Sequence, residues 1–282
     1  MKKISIVIGG TRGIGKEIAK NLLDRGDRVI IISRNTKKRN NKFFSKSEQI
    51  SLDLNNPKEI SNLKFKIKYK KLDNLIFSQR YRGENENEEY QVMLNSVYQV
   101  INNIKYKMNK NSSIVIISSI SLSGILYDQK LNYHVIKGGI DQLVKYFAVK
   151  LGKFKIRINA ILATRAIKFE NKKFYKKNNS IRKRIEKITP LKRMSSSKDI
   201  ANVVNFLTEN RSNYITGENI KVDGGLRLIG QEHIAELLDN SIDARIENQE
   251  EKIHVQLNFE EKLIVVQDDG HGMDKDDLKN AM

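Results

Sequence analysis

The chain has 282 residues, and its 52 lysines and arginines exceed its 33 aspartates and glutamates, which gives a net charge of +19 at pH 7. This length is sufficient for one large domain, or for one domain with an appendage. The absence of cysteine excludes a disulfide framework and a thiolate metal site and fits a reducing cytosol, so we predict a cytoplasmic protein without a metal centre.

The positive charge does not by itself indicate a nucleic-acid-binding protein. It is spread along the chain as lysine beside abundant asparagine and isoleucine, and no basic stripe interleaved with aromatic residues is present. No apolar run approaches the roughly 20 residues that a membrane-spanning helix needs. We therefore expect neither nucleic acid nor a membrane as a partner.

The N-terminal apolar run predicts a short strand that leads through a glycine-rich turn, Gly9–Gly15, into an amphipathic helix. Strand, glycine turn and helix in this order are the context of a dinucleotide-binding fingerprint. Gly9 permits the tight turn, Gly13 lets the backbone approach a pyrophosphate, and Gly15 allows close packing of helix on strand. The helix N-terminus then faces the phosphate charge. The cofactor-binding residues predicted in this turn are Gly9, Thr11, Arg12, Gly13, Ile14 and Gly15.

The second predicted strand, residues 28–33, ends at Arg34. NAD-selective proteins of this kind usually have an acidic residue here that binds the ribose 2′-hydroxyl, whereas a basic residue suits a 2′-phosphate. The missing acid favours NADP(H) over NAD(H). The alternative is that Arg34 belongs to a basic surface, because three further basic residues follow at positions 37–39.

Tyr133 and Lys137 are four residues apart, so on a helix both side chains lie on one face, about one turn from each other. A nearby ammonium group favours the phenolate form of a tyrosine. It thereby lowers the pKa of the tyrosine toward the working range of a general acid/base. The pattern is common by itself, and its meaning here comes from the strand-like run upstream that ends in Ser118 and Ser119.

The glycine turn, the serine-ended strand, the tyrosine–lysine pair and the later Val222–Gly225 together resemble the short-chain dehydrogenase/reductase family over residues 1–229. The resemblance implies an α/β fold with a doubly wound parallel sheet. It also implies an oxidoreductase that transfers a hydride between a nicotinamide cofactor and a carbonyl or alcohol carbon. The substrate is then a small 3-oxoacyl, sugar or polyol compound.

The resemblance assigns roles to four catalytic residues. Tyr133 exchanges the proton at the substrate oxygen, and Lys137 supports the tyrosine and hydrogen-bonds the nicotinamide ribose. Ser119 orients the carbonyl, with Ser121 as the alternative, because this segment holds an extra residue or two. Asn95 holds a water for proton relay; the alternative for Asn95 is a solvent-facing position in an asparagine-rich chain.

Two cofactor contacts also follow from the resemblance. Arg12 approaches the same 2′-phosphate as Arg34, and Asp53 hydrogen-bonds the adenine. For Asp53 the structural alternative is an acidic residue that caps the end of the third predicted strand, residues 50–54.

Two departures from the family pattern lie beside the predicted nicotinamide site. Residues 77–80 read Phe-Ser-Gln-Arg where the family has Asn-Asn-Ala-Gly, and Ala163-Thr164 stands in place of Pro-Gly. These departures leave open a catalytically impaired protein that binds a dinucleotide or acts as a regulator.

The basic segment 168–187 occupies the position of the family's substrate lid. It suits an anionic or carrier-bound substrate, although a solvated basic helix explains it equally well. The family also implies a homodimer or homotetramer formed through helices near residues 95–110 and 133–150.

Residues 230–282 introduce a second pattern that resembles the start of the GHKL, or Bergerat-fold, ATPases. In that family the equivalent of Glu236 activates water, Asn240 binds Mg²⁺ and Asp268 holds the adenine, while Gly270 and Gly272 shape the loop. The later glycine-rich lid has no counterpart before Met282. We predict a short, incomplete α+β appendage without a working ATP site; the alternatives are a remnant of an ATPase fusion, or an ATPase with the reductase as partner.

Overall fold

The computed structural model describes residues 2–35, 43–126, 129–177 and 179–228, and the backbone of the strands at 253–258 and 263–268. The chain divides into two compact units. The described residues up to Lys173 and those of Met194–Asp223 form the first, while those of Phe174–Arg193 and those from Gly224 onward form the second.

The strands of the described residues are β1 (Ile4–Ile8), β2 (Arg28–Ser33), β3 (Glu48–Ser51), β4 (Leu72–Phe77), β5 (Met108–Ser119), β6 (Arg157–Ala163), β7 (Ala166–Ile167), β8 (Ser195–Ser196), β9 (Asn219–Val222), β10 (Ile253–Asn258) and β11 (Leu263–Asp268). The α-helices are α1 (Gly13–Asp24), α2 (Pro57–Ser61), α3 (Leu63–Lys66), α4 (Glu86–Tyr90), α5 (Ser96–Ile104), α6 (Leu131–Gly152), α7 (Lys172–Lys177), α8 (Asn179–Ile188) and α9 (Ser197–Leu207). One π-helical segment, Gln91–Asn95, joins α4 to α5.

The first unit is built on a seven-stranded sheet in the order β3-β2-β1-β4-β5-β6-β9. Every neighbouring pair in this sheet is parallel. The order reverses at β1, where the chain crosses from one half of the sheet to the other, and ligands of such sheets bind outside the carboxyl ends of the strands at this point. The predicted doubly wound parallel sheet is confirmed.

Helices cover both faces of this sheet because its central strands are apolar on both sides. Successive strand residues point to opposite faces, so Ile6 and Ile8 belong to one buried core and Val7 to the other. The first core also contains the apolar sides of α5 and α6, and the second those of α1 and α9. The continuous apolar runs of β1 and β2 are therefore those expected of fully covered parallel strands.

Two element boundaries differ from the predicted ones. Helix α1 begins at Gly13, so the end of the predicted glycine turn, residues 13–15, already belongs to the helix. Strand β3 spans Glu48–Ser51 instead of residues 50–54. Asp53 therefore lies beyond the strand end, where its Oδ1 accepts a hydrogen bond of 3.0 Å from the Asn55 N–H in a local turn.

In the second unit, α8 is followed by a turn in which the Leu191 N–H donates to the Gly224 carbonyl at 3.4 Å. A Cβ on Gly224 would lie 2.8 Å from Thr189 Cγ2, so the two segments of this unit touch closely there. Further along, β10 and β11 pair antiparallel, with Ile253 opposite Asp268. Within the described residues, no helix has the length and apolar character required to cross a membrane.

Candidate active site

The glycine turn lies between the end of β1 and the start of α1 and is held by very close backbone contacts. Gly9 has a φ of +80°, and a Cβ there would lie 2.7 Å from the backbone of Ser78 and Gln79. A Cβ on Gly15 would lie 2.3 Å from the Gly9 carbonyl oxygen. Side chains at these two positions would force the turn apart, so glycine is required for the geometry.

The N-terminus of α1 receives no cap from its own side chains. Arg12 occupies the N-cap position in an extended conformation without a capping hydrogen bond, and the first turn has no acidic residue. The Gly13 N–H instead donates to the Glu170 Oε1 at 2.9 Å. An anionic oxygen thus occupies the position that a helix N-terminus offers to a phosphate.

The other predicted cofactor-binding residues have less specific surroundings. Thr11 is buried, and Ile14 is half-buried against the core that α1 shares with α9. Arg34 is exposed directly after β2, where its carbonyl accepts a hydrogen bond of 2.9 Å from Ser51 Oγ. Their roles toward a cofactor remain predictions, as does that of Asp53.

Tyr133 and Lys137 lie on the first turns of α6. The Lys137 Nζ is 5.2 Å from the centroid of the Tyr133 ring, and the lysine is only 4% exposed. Burial, with a smaller contribution from the positive charge of Arg80, lowers the pKa of Lys137 to about 8, while the Glu89 carboxylate acts in the opposite direction. An ammonium group is thereby held beside a phenol in a poorly solvated position.

The serines at the carboxyl end of β5 are buried as well. Ser119 is the last residue of the strand, and its Oγ accepts a hydrogen bond of 3.2 Å from the Ser121 N–H. The hydroxyls of Ser118 and Ser121 have no hydrogen-bond partner within the described part of the chain. Because buried hydroxyls are normally paired, this cluster has unused capacity to bind a polar group. The choice between Ser119 and Ser121 remains a prediction.

Asn95 ends the π-helical segment that precedes α5. Its Nδ2 donates to the Gln91 Oε1 at 2.7 Å, and the residue is half-buried. The neighbouring Leu94 packs so closely on α6 that a Cβ on Gly139 would lie 2.6 Å from Leu94 Cδ2. Single π-turns are frequent at functional sites because they disturb the regular pairing of backbone groups.

A small cavity lies where these elements meet. Its lining combines Lys137 with the ends of β4 and β5 and the segment that carries Asn95: Phe77, Gln79, Met93, Val97, Ile116, Ile117 and Ile140. The Gln79 Oε1 is buried there without a hydrogen-bond partner among the described residues. The structure therefore brings the predicted catalytic segments to one edge of the sheet, although it does not test their catalytic roles.

The two departures from the family pattern preserve the backbone of this edge. Phe77 is buried at the end of β4, and the Ser78 N–H donates to the Ile8 carbonyl at 2.9 Å. Ala163 ends β6 paired with both Ser119 and Val222. The substitutions change the side chains offered to a ligand while the strands keep their register.

Sequence reasoning missed a group of charged residues around the glycine turn. Burial is the main cause that lowers the pKa of both Lys168 and Arg82. The positive charge of Arg80 lowers the pKa of Lys168 further, and the positive charge of Arg12 lowers that of Arg82 further. Glu170 raises the pKa of both Lys168 and Arg82. In the sequence, Arg80 stands out only as part of the departure from the family pattern at residues 77–80. Glu170 is one of two acidic residues in the basic segment 168–187, which was the available signal.

The ATPase-like motif is almost entirely outside the described residues. Glu236, Asn240, Gly270 and Gly272 fall in the part of the chain that the structure does not describe, and Asp268 is described only as the last backbone position of β11. The predicted incomplete appendage and its roles are therefore still predictions.

Comparison with known proteins agrees with this architecture. Residues 9–227 match the family model described as enoyl-(acyl carrier protein) reductase, and residues 230–282 match the one described as histidine kinase-, DNA gyrase B-, and HSP90-like ATPase. A 3-oxoacyl-[acyl-carrier-protein] reductase FabG of Buchnera aphidicola subsp. Baizongia pistaciae is 30% identical over 246 residues, which cover 80% of this chain and 97% of the relative.

Solved structures give the same result for the fold. ElxO with NADP bound superposes with a TM-score of 0.71 at 25% identity, over 80% of this chain and 99% of that chain. The Pseudomonas aeruginosa RhlG/NADP active-site complex has a TM-score of 0.71 at 22% identity, over 80% and 96%. The family model covers most of the chain, and the strand order and glycine turn are those that the resemblance implied. The chain thus belongs to the short-chain dehydrogenase/reductase family, whose members are oxidoreductases that act on CH–OH and carbonyl groups with a nicotinamide cofactor.

Proposed function

We propose that this protein is an NADP(H)-dependent reductase that transfers a hydride between the nicotinamide and the carbonyl or alcohol carbon of a 3-oxoacyl substrate. The observation that carries the proposal is the buried Lys137 beside Tyr133, at the carboxyl edge of the sheet. The FabG relative, named for reduction of 3-oxoacyl groups on an acyl carrier protein, supports the substrate class.

The residues at this edge fit a dinucleotide. The Gly13 N–H already binds a carboxylate oxygen at 2.9 Å, which is the type of acceptor that a pyrophosphate supplies. Gly9 and Gly15 allow no side chain, which keeps the turn tightly packed, and Gly13 lets the backbone approach a ligand. Gly9, Thr11, Arg12, Gly13, Ile14 and Gly15 would hold the phosphates. The cofactor, when bound, supplies or accepts the hydride.

The protein's own groups manage the proton and the orientation of the substrate. Tyr133 gives a proton to the substrate oxygen during reduction and takes it back during oxidation. Lys137 stabilises the negative charge that develops on the tyrosine oxygen, and it is mostly protonated at pH 7 because its pKa is about 8. Ser119 donates to the carbonyl oxygen, and Asn95 connects Tyr133 to solvent through a water.

The preference for NADP(H) over NAD(H) is proposed from Arg34. It directly follows β2, where an acidic residue would bind a ribose 2′-hydroxyl, and its exposed guanidinium suits a 2′-phosphate. Arg12 is exposed in the glycine turn and would reach the same group. Asp53 would meet the adenine through the carboxylate oxygen that the local turn does not use.

Assembly and substrate delivery are further parts of the proposal. Tyr98, Tyr146 and Val149 expose apolar surface on α5 and α6, and this supports a homodimer or homotetramer formed through these helices. The basic segment 168–187 supports an acidic carrier as the group that presents the substrate. A cytoplasmic location agrees with both proposals.

The test is turnover of a short 3-oxoacyl thioester by the Tyr133→Phe variant, followed through NADPH absorbance. We expect kcat to fall by at least about 10²-fold, the usual contribution of a general acid. The Kd for NADPH, measured by fluorescence titration, should stay within about twofold, because the ring is retained. Tyr214→Phe, at a fully exposed position, is the matched control and should keep full activity. Full activity in Tyr133→Phe would show that another group supplies the proton.

A second candidate is a protein that binds the dinucleotide without turning it over. The substituted residues 77–80 favour it, because they place Phe77 and Gln79 against the Lys137 cavity. This candidate predicts saturable NADPH binding by the wild-type chain and no reduction of any member of a carbonyl panel.

A further inference from the structure

Glu170 makes a contact that the chemistry proposed above does not use. Its Oε1 accepts a hydrogen bond of 2.9 Å from the Gly13 N–H at the start of α1. A Cβ on Gly13 would lie 3.3 Å from Lys168 Cδ and 3.8 Å from Glu170 Oε2, so both side chains lie directly over the turn. The turn that is expected to bind the cofactor's pyrophosphate is thus covered by a carboxylate of the same chain.

This contact is not needed to hold the segment that carries Glu170. The Lys168 N–H donates to the Asn171 Oδ1 at 2.6 Å, and the Asn171 Nδ2 donates to the Ala166 carbonyl at 3.0 Å. β7 also pairs with β8 immediately before this segment. Because Asn171 anchors the segment and Glu170 itself is exposed, the carboxylate remains available for a different purpose.

The charges around Glu170 are those expected around a bound anion. After burial, the positive charges of Arg12 and Arg80 lower the pKa of Arg82, and those of Arg80 and Arg82 lower the pKa of Lys168. The Glu170 carboxylate raises the pKa of Arg82 and Lys168, whereas burial and the neighbouring cations lower it. Glu170 therefore offsets repulsion that the arginines and the lysine would otherwise exert on one another.

We propose that Glu170 is an internal competitor of the cofactor's pyrophosphate and sets the affinity of the turn for the dinucleotide. One N–H cannot bond two anionic oxygens equally well, and two anions side by side repel each other. The carboxylate must leave the Gly13 amide when the phosphate arrives, and the phosphate then takes over the neutralisation of Arg82 and Lys168. The inference rests on the proposed function, since it requires a dinucleotide in this turn.

The test uses isothermal titration calorimetry on the full chain with two ligands, NADPH and adenosine 2′-monophosphate. The second ligand carries the 2′-phosphate but no 5′-phosphate, so it has no pyrophosphate oxygen to offer to the Gly13 N–H. Glu170→Gln keeps the shape and the acceptor oxygen but removes the charge that makes the hydrogen bond strong. Glu209→Gln is the matched control: it removes the same charge at the opposite edge of the sheet, where Glu209 pairs with Arg211 at 2.7 Å.

We expect Glu170→Gln to lower the Kd for NADPH by about tenfold and to leave the Kd for adenosine 2′-monophosphate unchanged. Glu209→Gln should change neither constant by more than about twofold. An unchanged or higher Kd for NADPH in Glu170→Gln overturns the inference, and so does an equal gain for both ligands, which would be a general effect of charge. If the wild-type chain binds no NADPH at all, the proposed function fails first.

Discussion

The two edges of the parallel sheet use charged residues in opposite ways. At the amino edge, Asp27 accepts hydrogen bonds from Arg25 at 2.6 Å and from Ser5 Oγ at 2.5 Å, and the Asn74 Nδ2 donates to that hydroxyl at 2.8 Å. Also at this edge, the Arg157 Nη2 donates to the Leu207 carbonyl at 2.8 Å. Arg25 has a carboxylate partner and Arg157 has carbonyl acceptors, although the buried Arg157 Nε has no partner among the described residues.

At the carboxyl edge, positive groups lie near one another instead. In addition to burial, the positive charge of Arg80 lowers the pKa of both Lys137 and Lys168. The positive charge of Arg12 likewise adds to burial in lowering the pKa of Arg82. Like charges held together reduce stability unless a ligand neutralises them. The cations at the amino edge thus have acceptors within the protein, whereas those at the carboxyl edge fit the anionic cofactor that we propose. Substitutions at each edge test this division.

The largest effect on stability is expected from Asp27→Ala. The substitution removes the carboxylate that accepts hydrogen bonds from Arg25 Nε and Nη2 and from the Ser5 hydroxyl, while Arg25 Nη1 keeps Thr208 Oγ1 as an acceptor. Breaking such a partly buried pair costs about 3 kcal/mol. Urea unfolding should show this loss, while the Kd for NADPH of the folded variant stays within about twofold.

Glu209→Ala is the control at the same edge, since its ion pairs with Arg211 at 2.7 Å and with Arg25 at 4.0 Å are partly exposed and should cost less than about 1 kcal/mol. A weakened NADPH affinity in Asp27→Ala, with little loss of stability, would contradict the division of the two edges.

The fold, the glycine turn and the tyrosine–lysine pair could be predicted from the sequence because their sequence patterns are local. The run from Ile4 to Gly15 specifies strand, turn and helix through apolar residues and glycines, and the spacing of Tyr133 and Lys137 places both on one helical face. The carboxyl-edge location then follows from the parallel topology.

The cation cluster could not be predicted in this way, because its members come from distant segments. Arg12 follows β1, Arg80 and Arg82 follow β4, and Lys168 and Glu170 follow β7. Their proximity depends on how three loops pack, which no short-range pattern specifies. The predicted end of β3 at residue 54 lies beyond the observed end at Ser51, because Leu52 and Leu54 continue the apolar alternation past the strand.

Lys137→Met should have an intermediate and opposite effect, an increase in stability. The pKa of this lysine falls from 10.5 to about 8 on folding, so keeping it charged opposes folding at pH 7 by about 3 kcal/mol. Methionine keeps the apolar stem without the charge, and unfolding at pH 7 should show a gain of about 2 kcal/mol. The Kd for NADPH should rise, because the ribose loses its donor.

The contribution of Lys137 to folding stability should also depend on pH. Between pH 8 and 10.5 the unfolded chain holds the Lys137 proton more tightly than the folded one, so this residue makes the wild-type stability rise with pH in that window. The stability advantage of Lys137→Met should shrink over the same window. Lys145→Met, at an exposed position of α6 paired with Asp141, should show no such trend. If the difference in free energy of unfolding between Lys137→Met and the wild type does not change with pH, then the charge of Lys137 does not oppose folding.

The smallest expected effect, from Arg34→Ala, isolates a single exposed charge at the carboxyl edge. The Arg34 carbonyl is held by Ser51 Oγ at 2.9 Å, whereas its guanidinium has no hydrogen bond or ion pair within the described residues, so truncation should leave stability unchanged. If the guanidinium binds the 2′-phosphate, the Kd for NADPH should rise about tenfold, which corresponds to about 1.4 kcal/mol, and the Kd for NADH should not change. Arg211→Ala, the exposed counterpart at the amino edge, should alter neither constant. An equal loss for both cofactors would make Arg34 part of a general basic surface, and the preference for NADP(H) would then depend on Arg12, which is the next basic residue toward the same phosphate.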